Sequence, residues 1–168
     1  MGAGYVAAAA GGAPQLQQLA AGKTKVTDCT LNDFRAMRAL VNAAVYQTGG
    51  AAYYMNPTLD ALLATFNTIG SPQIYVRAQG GASATLDGWP IRWVGVMQSY
   101  STKAAAATFP ALFGDLSYWY LGERGAPRVE TSREVYFATD ELGMRAVERI
   151  DVEAMAPDAM SALETAAA

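Results

Sequence analysis

The chain has 168 residues, 52% of them hydrophobic, which is enough for one substantial core and short for two independent domains. Its 12 basic and 15 acidic residues give a net charge of −3, unlike the strongly basic surfaces that bind nucleic-acid backbones. The absence of histidine excludes imidazole-based catalysis and histidine-ligated zinc. No apolar run approaches the roughly 20 residues that cross a bilayer. The first positive charge is Lys23, so we expect neither a signal peptide nor a membrane span, and an intracellular protein.

The N-terminal residues lack the large periodic side chains that order a chain. Residues 1–22 are rich in Ala, Gly and Gln and predict an irregular lead-in, which we extend to residue 26. Residues 2–7 fit a G-x-G-x-x-A dinucleotide fingerprint, but no strand precedes them, so we do not expect a cofactor site. The single cysteine, Cys29, cannot form an internal disulfide and is predicted to be a buried apolar filler.

Two helices and a buried strand are predicted next. Thr30 is a good N-cap, and apolar side chains follow at a spacing of three and four, which predicts a helix over residues 31–46. Residues 51–55 predict a buried strand. Asn56-Pro57 is a cap followed by proline at the first helical position, which predicts a second helix ending near Gly70.

The following segments read as short strands between loops. Residues 73–77 and 91–96 are predicted strands, the second introduced by the turn sequence LDGWP. Loops are predicted over residues 78–85 and 98–107. The sequence ALFGDLSYWYL has two apolar runs broken at Gly114-Asp115, which predicts a hairpin or a kinked strand.

A long amphipathic strand is the clearest element of the sequence. Over residues 142–154 apolar and charged side chains alternate, which at about 3.3 Å per residue predicts a strand on the order of 40 Å long. Most strands are nearer five or six residues, so this length predicts an elongated body. Glu148 is the misfit, a carboxylate on the apolar face that must be paired or lie beyond the core.

Two groups of residues suggest chemistry. Several carboxylates lie within one stretch and could act as acid and base in a hydrolase, but interspersed arginines favour a solvated face or a subunit contact. Aromatic residues could form a ligand platform, but neighbours in a strand point to opposite faces, so residues 118–120 cannot line one surface. The carboxylates considered as the acid and base of a hydrolase are Asp115, Glu123, Glu130, Glu134 and Asp140.

Four sequence blocks in the same order resemble the C-terminal portion of tailed-phage major capsid proteins with the Hong Kong 97-type fold. The blocks are AAYYMNPTLDALL, LDGWPIRW, FPALFGDLSYWYLGERGAPRVETSRE and YFATDELGMRAVERIDVEAMAPDAMSALETAA, which together span roughly residues 30–168. The resemblance implies an α+β fold, a mixed sheet flanked by helices with one long peripheral β-strand. It also implies an axial domain over residues 27–125, and peripheral strands over residues 126–168 that pack back on it as one compact unit.

The resemblance implies a structural subunit of a phage or prophage icosahedral capsid, which assembles with copies of itself into pentamers and hexamers. The family's N-terminal arm, extended hairpin and spine helix have no counterpart here, so we expect an N-terminal truncation. We expect no enzyme activity, cofactor, metal, membrane or sequence-specific nucleic-acid partner. Scaffolding and portal proteins are candidate partners. We expect the virion capsid as its location, and the host cytoplasm during assembly.

The alternatives are an encapsulin-like compartment shell and, in a different class, a small binding module or acid/base hydrolase. Some family members crosslink a lysine to an asparagine with the help of a glutamate. By resemblance Asp140 stands at the asparagine position and Val147 at the glutamate position, and the lysine's segment is absent. We therefore predict no crosslinking.

The predicted subunit contacts are the loop of residues 79–85, the loop of residues 98–108 and the charged band of residues 123–134. Polar and charged side chains there suit repeated, modest contacts between copies. The specific residues are Gln79, Ser83, Thr85, Ser101, Lys103, Thr108, Glu123, Arg124, Arg128, Arg133 and Glu134.

Overall fold

The computed structural model describes residues 14–67, 73–103, 107–132, 139 and 142–166. A seven-stranded mixed sheet, in the order β1-β11-β6-β2-β5-β4-β3, forms its centre, and two further strand pairs are β10-β7 and β8-β9. The helices are α1 (Leu31–Ala39) and α2 (Asp60–Ala64). The strands are β1 (Gln15–Gln18), β2 (Ala52–Met55), β3 (Tyr75–Val76), β4 (Thr85–Leu86), β5 (Trp89–Trp93), β6 (Ala111–Gly114), β7 (Trp119–Glu123), β8 (Arg128–Ser132), β9 (Gly143–Val147), β10 (Ile150–Ala154) and β11 (Met160–Glu164).

Helix α1 begins where the sequence predicts and ends early. The Thr30 backbone N–H and hydroxyl donate to Asp33 Oδ2 at 2.8 and 2.7 Å, which caps the first turn. The prediction of helix to residue 46 was wrong, because Asn42 is held by Asp158: its N–H donates to the Asp158 carbonyl at 2.9 Å and its Nδ2 to Oδ2 at 2.8 Å. A 3-10 turn, Ala43–Gln47, replaces the rest.

The second predicted helix is also short. Asn56 caps a 3-10 turn as expected, but α2 ends at Ala64. Asn67 explains the early end, because its Oδ1 accepts from the N–H of Ile74 at 3.0 Å and of Tyr75 at 2.9 Å and so turns the chain into β3. The predicted end at Gly70 lies outside the described residues.

The core lies on the helix side of the sheet. The central strand β2 is buried along its whole length, as predicted from residues 51–55. Phe34 and Met37 of α1 are fully buried, and Tyr53 packs on Phe113 with ring centroids 4.6 Å apart. Cys29 is buried in the same cluster, which confirms its role as filler.

Strand β1 corrects the prediction of an irregular N-terminal segment. It pairs in parallel with β11, with Gln15 opposite Ser161. Only Gln17 is partly buried, so the strand has no apolar face that the sequence could reveal. The backbone ladder extends to Leu19, whose N–H donates to the Glu164 carbonyl at 2.9 Å and whose side chain is buried in the core.

The strands predicted over 73–77 and 91–96 are β3 and β5, and β4 and β5 form a hairpin with a two-residue turn. Asp87 (φ 51°) and Gly88 (φ 83°) occupy the turn, and both have the positive φ that is usual for an Asp-Gly pair in a two-residue hairpin turn. Arg35 of α1 donates from Nε and Nη2 to the two oxygens of Asp87, each at 3.0 Å. That hydrogen-bonded guanidinium holds the pKa of Asp87 below its ordinary value and fixes the hairpin to α1.

Gly114 and Asp115 separate two elements that the sequence grouped as a hairpin or kinked strand. β6 lies in the seven-stranded sheet, paired with β11 and β2, whereas β7 pairs with β10. They are therefore not partners in a hairpin. Asp115 Oδ1 accepts from the Ser117 N–H at 2.9 Å, which starts the 3-10 turn that redirects the chain.

The remaining strands form a two-part ribbon. β7 pairs antiparallel with β10, and β8 pairs antiparallel with β9. Between the pairs, residues 124–127 lie opposite only Glu148 and Arg149, and the Arg124 N–H donates to the Arg149 carbonyl at 3.0 Å. The single strand predicted over 142–154 is thus two strands, interrupted by a bulge that contains Gly125 (φ 79°) and Pro127.

Candidate subunit interface

The outer half of the ribbon has almost no support from the rest of the described chain. Every residue of β8 and β9 is exposed or half-buried, and each strand pairs only with the other. A two-stranded ribbon alone is marginally stable in water, so this half is suited to contact with another polypeptide. Glu148, the misfit of the sequence pattern, is exposed at the bulge and lies beyond the core, one of the two positions expected for it.

Each half of the ribbon has an apolar face open to solvent. In the outer half Val129 lies opposite Ala146, and Met144 is 70% exposed. In the inner half Leu121 lies opposite Val152, and Leu121 is 59% exposed. The alternation predicted from the sequence is therefore correct, but the apolar residues face outward. We name this set the apolar strip; its members are Leu121, Val129, Met144, Ala146, Ile150 and Val152.

The apolar strip leads into a groove on the sheet face opposite the helices. The groove has a volume of about 260 Å³ and is lined almost wholly by apolar atoms. Tyr54 and Met160 form its floor, and Val152 and Trp119 belong to its ribbon-side wall. Trp119 Nε1 is buried and has no acceptor within the described residues, so the groove offers one hydrogen-bond donor in an apolar setting.

The other side of the outer ribbon is basic. Arg124, Arg128, Arg145 and Arg149 line a hollow of about 300 Å³, which we name the arginine hollow. Among the described residues, Glu130 is the one carboxylate that lines it, and its Oε1 lies 3.0 Å from Arg128 Nε. The sequence prediction included Arg124 and Arg128 but missed Arg145 and Arg149, which only the β8–β9 register brings beside them.

The predicted loop of residues 79–85 lies at the β3–β4 edge of the sheet. Gln79 and Ser83 are exposed, and Gln79 forms an isolated bridge with Ala82. Thr85 is half-buried in β4, opposite Pro90 of β5. Two of the three predicted side chains in this loop are therefore freely accessible.

The loop of residues 98–108 is fixed at its end. The Lys103 N–H donates to Ser101 Oγ at 3.1 Å, and Lys103 itself is exposed. Thr108 is half-buried, and its N–H donates to Thr165 Oγ1 at 3.0 Å. Thr108 therefore ties the loop to the segment after β11, while Lys103 is available for contact.

The charged band is the best exposed of the three predicted contacts. Glu123, Arg124 and Arg128 are all exposed on the ribbon. Arg133 and Glu134 lie outside the described residues.

Those carboxylates considered for a hydrolase that lie in the described residues do not gather. Asp115 is buried beside the sheet, whereas Glu123 and Glu130 lie on the exposed ribbon. Glu134 and Asp140 lie outside the described residues, as does the fingerprint-like segment of residues 2–7.

Local hydrogen bonding accounts for Asp115. Burial opposes its ionisation, but hydrogen bonds from the Ser117 N–H at 2.9 Å and the Thr48 hydroxyl at 2.8 Å outweigh burial and hold its pKa below the ordinary value. Asp115 is thus a hydrogen-bond acceptor that joins two turns. Burial raises the pKa of the Cys29 thiol to about 12, which disfavours the reactive thiolate and agrees with a packing role for this residue.

Within the described ranges, no three acidic or cysteine side chains are grouped as metal ligands. None of the helices described there has the length and hydropathy to span a membrane. Val147, at the position that corresponds by resemblance to the crosslinking glutamate, is half-buried in β9.

The fold and the projecting ribbon define a class of protein, the shell subunits with the Hong Kong 97-type capsid fold. The structure is similar to "Capsid of empty GTA particle computed with C5 symmetry" (TM-score 0.62, 18% identity, 90% of this chain and 50% of that chain). It is also similar to "Satellite phage P4 procapsid including size determination (Sid) protein" (0.52, 12%, 79% and 37%) and "Asymmetric unit of bacteriophage PhiM1 mature capsid" (0.52, 9%, 90% and 51%). This chain therefore spans about half the length of these capsid chains or less.

The family model described as "Phage capsid family" matches residues 3–165. The chain belongs to the phage capsid family. No curated protein sequence matches it significantly.

Proposed function

We propose that this chain is a structural subunit of a phage or prophage icosahedral capsid, that it contacts copies of itself in pentamers and hexamers, and that it performs no chemistry. One observation carries the proposal. The ribbon presents exposed apolar faces, with Met144 70% and Val129 59% exposed, which soluble monomers rarely offer as a contiguous surface. Because the chain belongs to the phage capsid family, we infer that this surface contacts other copies of the chain.

We propose that the axial and peripheral parts of the subunit occupy the two residue ranges expected from the sequence. Residues 27–125 form the axial part, which meets its copies through the loops of residues 79–85 and 98–108. Residues 126–168 form the peripheral part. Its strands β8, β9 and β10, together with β7 of the axial range, form the ribbon that reaches neighbouring subunits, and its last strand, β11, pairs within the seven-stranded sheet. The proposed location is the virion shell, with assembly in the host cytoplasm and with scaffolding or portal proteins as further partners.

A sedimentation experiment tests the proposal. An epitope-tagged chain is produced in the cell in which its gene occurs, and shells are separated from free protein on a density gradient. We expect the tag to sediment with shells that contain DNA. Tag found wholly in the slow-sedimenting fraction contradicts the proposal, and shells that contain a protein cargo without DNA favour the encapsulin-like alternative instead.

A matched pair of variants tests the apolar strip in the same experiment. Met144→Glu places an unpaired carboxylate in the expected contact, and burial of that charge costs several kcal/mol. We therefore expect the amount of this variant in shells to fall at least about tenfold. Leu40→Glu, at an exposed apolar residue beyond α1, is the control and leaves incorporation unchanged. Equal incorporation of both variants contradicts a role for the strip.

A further inference from the structure

The polar side of the ribbon changes its charge sign along its length. The outer half contains the arginine hollow, with four guanidinium groups and one carboxylate. Arg149 lines this hollow and also, with Asp151, the neighbouring hollow nearer the base of the ribbon. Two residues further along β10 lies the exposed Glu153, opposite Tyr120. A basic block and an acidic pair therefore lie next to each other on one surface.

Neither block is neutralised within the described chain. Glu130 pairs with Arg128 at 3.0 Å, but no ion pair in the described residues involves Arg124, Arg145 or Arg149. Three unpaired guanidinium groups around one hollow repel each other, and this repulsion is relieved by an anionic partner. A carboxylate pair on a second molecule satisfies this requirement, because arginine binds carboxylates through paired hydrogen bonds.

We propose that the polar side of the ribbon binds the same side of a second copy of this chain across a two-fold axis, with Asp151 and Glu153 of each copy placed in the arginine hollow of the other. The proposal rests on the proposed function only in that the contact is between copies. In a two-fold contact the same surface is used twice, so a surface with adjacent basic and acidic blocks is complementary to itself.

The dimensions of the two blocks agree with this arrangement. Arg145 and Arg149 are separated by four strand positions, or about 13 Å, and Asp151 and Glu153 by two positions, or about 7 Å. The acidic pair is therefore shorter than the basic block that would receive it. The two-fold axis would pass between the blocks, near Ile150.

Charge also favours a second copy over nucleic acid. A phosphate backbone drawn to the arginine hollow would run onto the carboxylates of Asp151 and Glu153, and the chain's net charge of −3 would repel it at longer range. A second copy satisfies both blocks at once. DNA binding by this surface is the alternative that the experiment below distinguishes.

The test is sedimentation velocity of the intact chain and two charge-reversal variants. One carries Arg145→Glu with Arg149→Glu and has an acidic surface; the other carries Asp151→Lys with Glu153→Lys and has a basic one. We expect the wild type to form dimers that weaken as salt is raised, and each variant alone to have a dissociation constant at least about 100-fold higher, because attractive pairs become repulsive. An equimolar mixture of the two variants restores dimers, because every reversed block then meets a reversed partner.

Controls separate this contact from folding and from the capsid function. Lys25→Glu with Arg92→Glu makes the same change in net charge as the arginine reversal, at exposed sites outside the ribbon strands, and leaves dimers intact. Circular dichroism identifies any variant that does not fold. A wild type that stays monomeric at hundreds of micromolar, or a mixture that does not recover, overturns the proposal. So does duplex DNA binding that the arginine reversal abolishes while dimerisation persists. If the tagged chain enters shells although the reversals have no effect on association, the contact is wrong and the capsid function stands.

Discussion

Gly114 occupies a position that no other residue fits. Its φ is 147°, a conformation that side chains rarely adopt, and a Cβ there would lie 2.3 Å from the carbonyl oxygen of Ala159. The close approach lets β11 pair with β6, with Met160 opposite Gly114. The sequence predicts a break at this glycine, but the reason for it lies in a strand almost fifty residues away and is invisible locally.

The first prediction concerns this residue. Gly114→Ala lowers the free energy of unfolding by at least about 2 kcal/mol, because strained backbone and the contact with a backbone atom add together. Gly95→Ala, where a Cβ meets nothing within 4 Å, changes it by less than about 0.5 kcal/mol. Urea unfolding followed by tryptophan fluorescence measures both. Similar midpoints for the two variants would show that the sheet tolerates a side chain at Gly114.

At the scale of elements, starts were easier to predict than ends. Thr30 and Asn56 form their capping hydrogen bonds with residues no more than three positions away, so their roles can be predicted from the local sequence. The ends of α1 and α2 depend on Asn42 and Asn67, whose partners are residues far along the chain or in the next strand. The ribbon bulge was missed for the same reason, because it exists only in the pairing of two strands.

Asn56 gives the second prediction, since it joins three elements. Its Oδ1 accepts from the Thr58 N–H at 3.0 Å, and its Nδ2 donates to the carbonyls of Gly95 at 3.1 Å and Met97 at 2.9 Å. Asn56→Ala removes the cap and leaves two carbonyls without their donor, so the free energy of unfolding falls by about 2–3 kcal/mol.

Asn56→Asp separates the two roles, because a carboxylate keeps the cap but cannot donate to Gly95 and Met97. Its loss should lie between those of wild type and Asn56→Ala in the same urea titration. An alanine variant as stable as wild type would refute the junction role of Asn56.

For the whole molecule, the third prediction compares the ribbon with the sheet. In the isolated chain, backbone amides of β8 and β9 exchange hydrogen at least about 100-fold faster than those of β2, because β2 is buried whereas the outer ribbon is not. Hydrogen exchange with mass spectrometry measures the difference. In shells the ribbon amides become protected while those of β2 change little; ribbon amides protected equally in the free chain would contradict this.

The starts of the helices and several strands were predictable because caps, turns and strand alternation are local patterns, whereas the α+β capsid fold was implied by the resemblance of four sequence blocks to a known family. The arginine hollow was not predictable, because Arg124 and Arg128 meet Arg145 and Arg149 only through the β8–β9 register and the bulge. A surface that combines two segments distant in the chain can be predicted only when the position of one segment relative to the other is known, and residue types alone do not give that position.

The position of β11 has a consequence for how the chain acquires its structure during translation. β11 lies between β1 and β6, yet it is the last strand of the described chain to be synthesised. Among the strands that the structure describes, β1 pairs with β11 alone, so β1 can join the sheet only after β11 has left the ribosome. Completion of this edge of the sheet is therefore a long-range event, and assembly-competent subunits can appear only after β11 has been made.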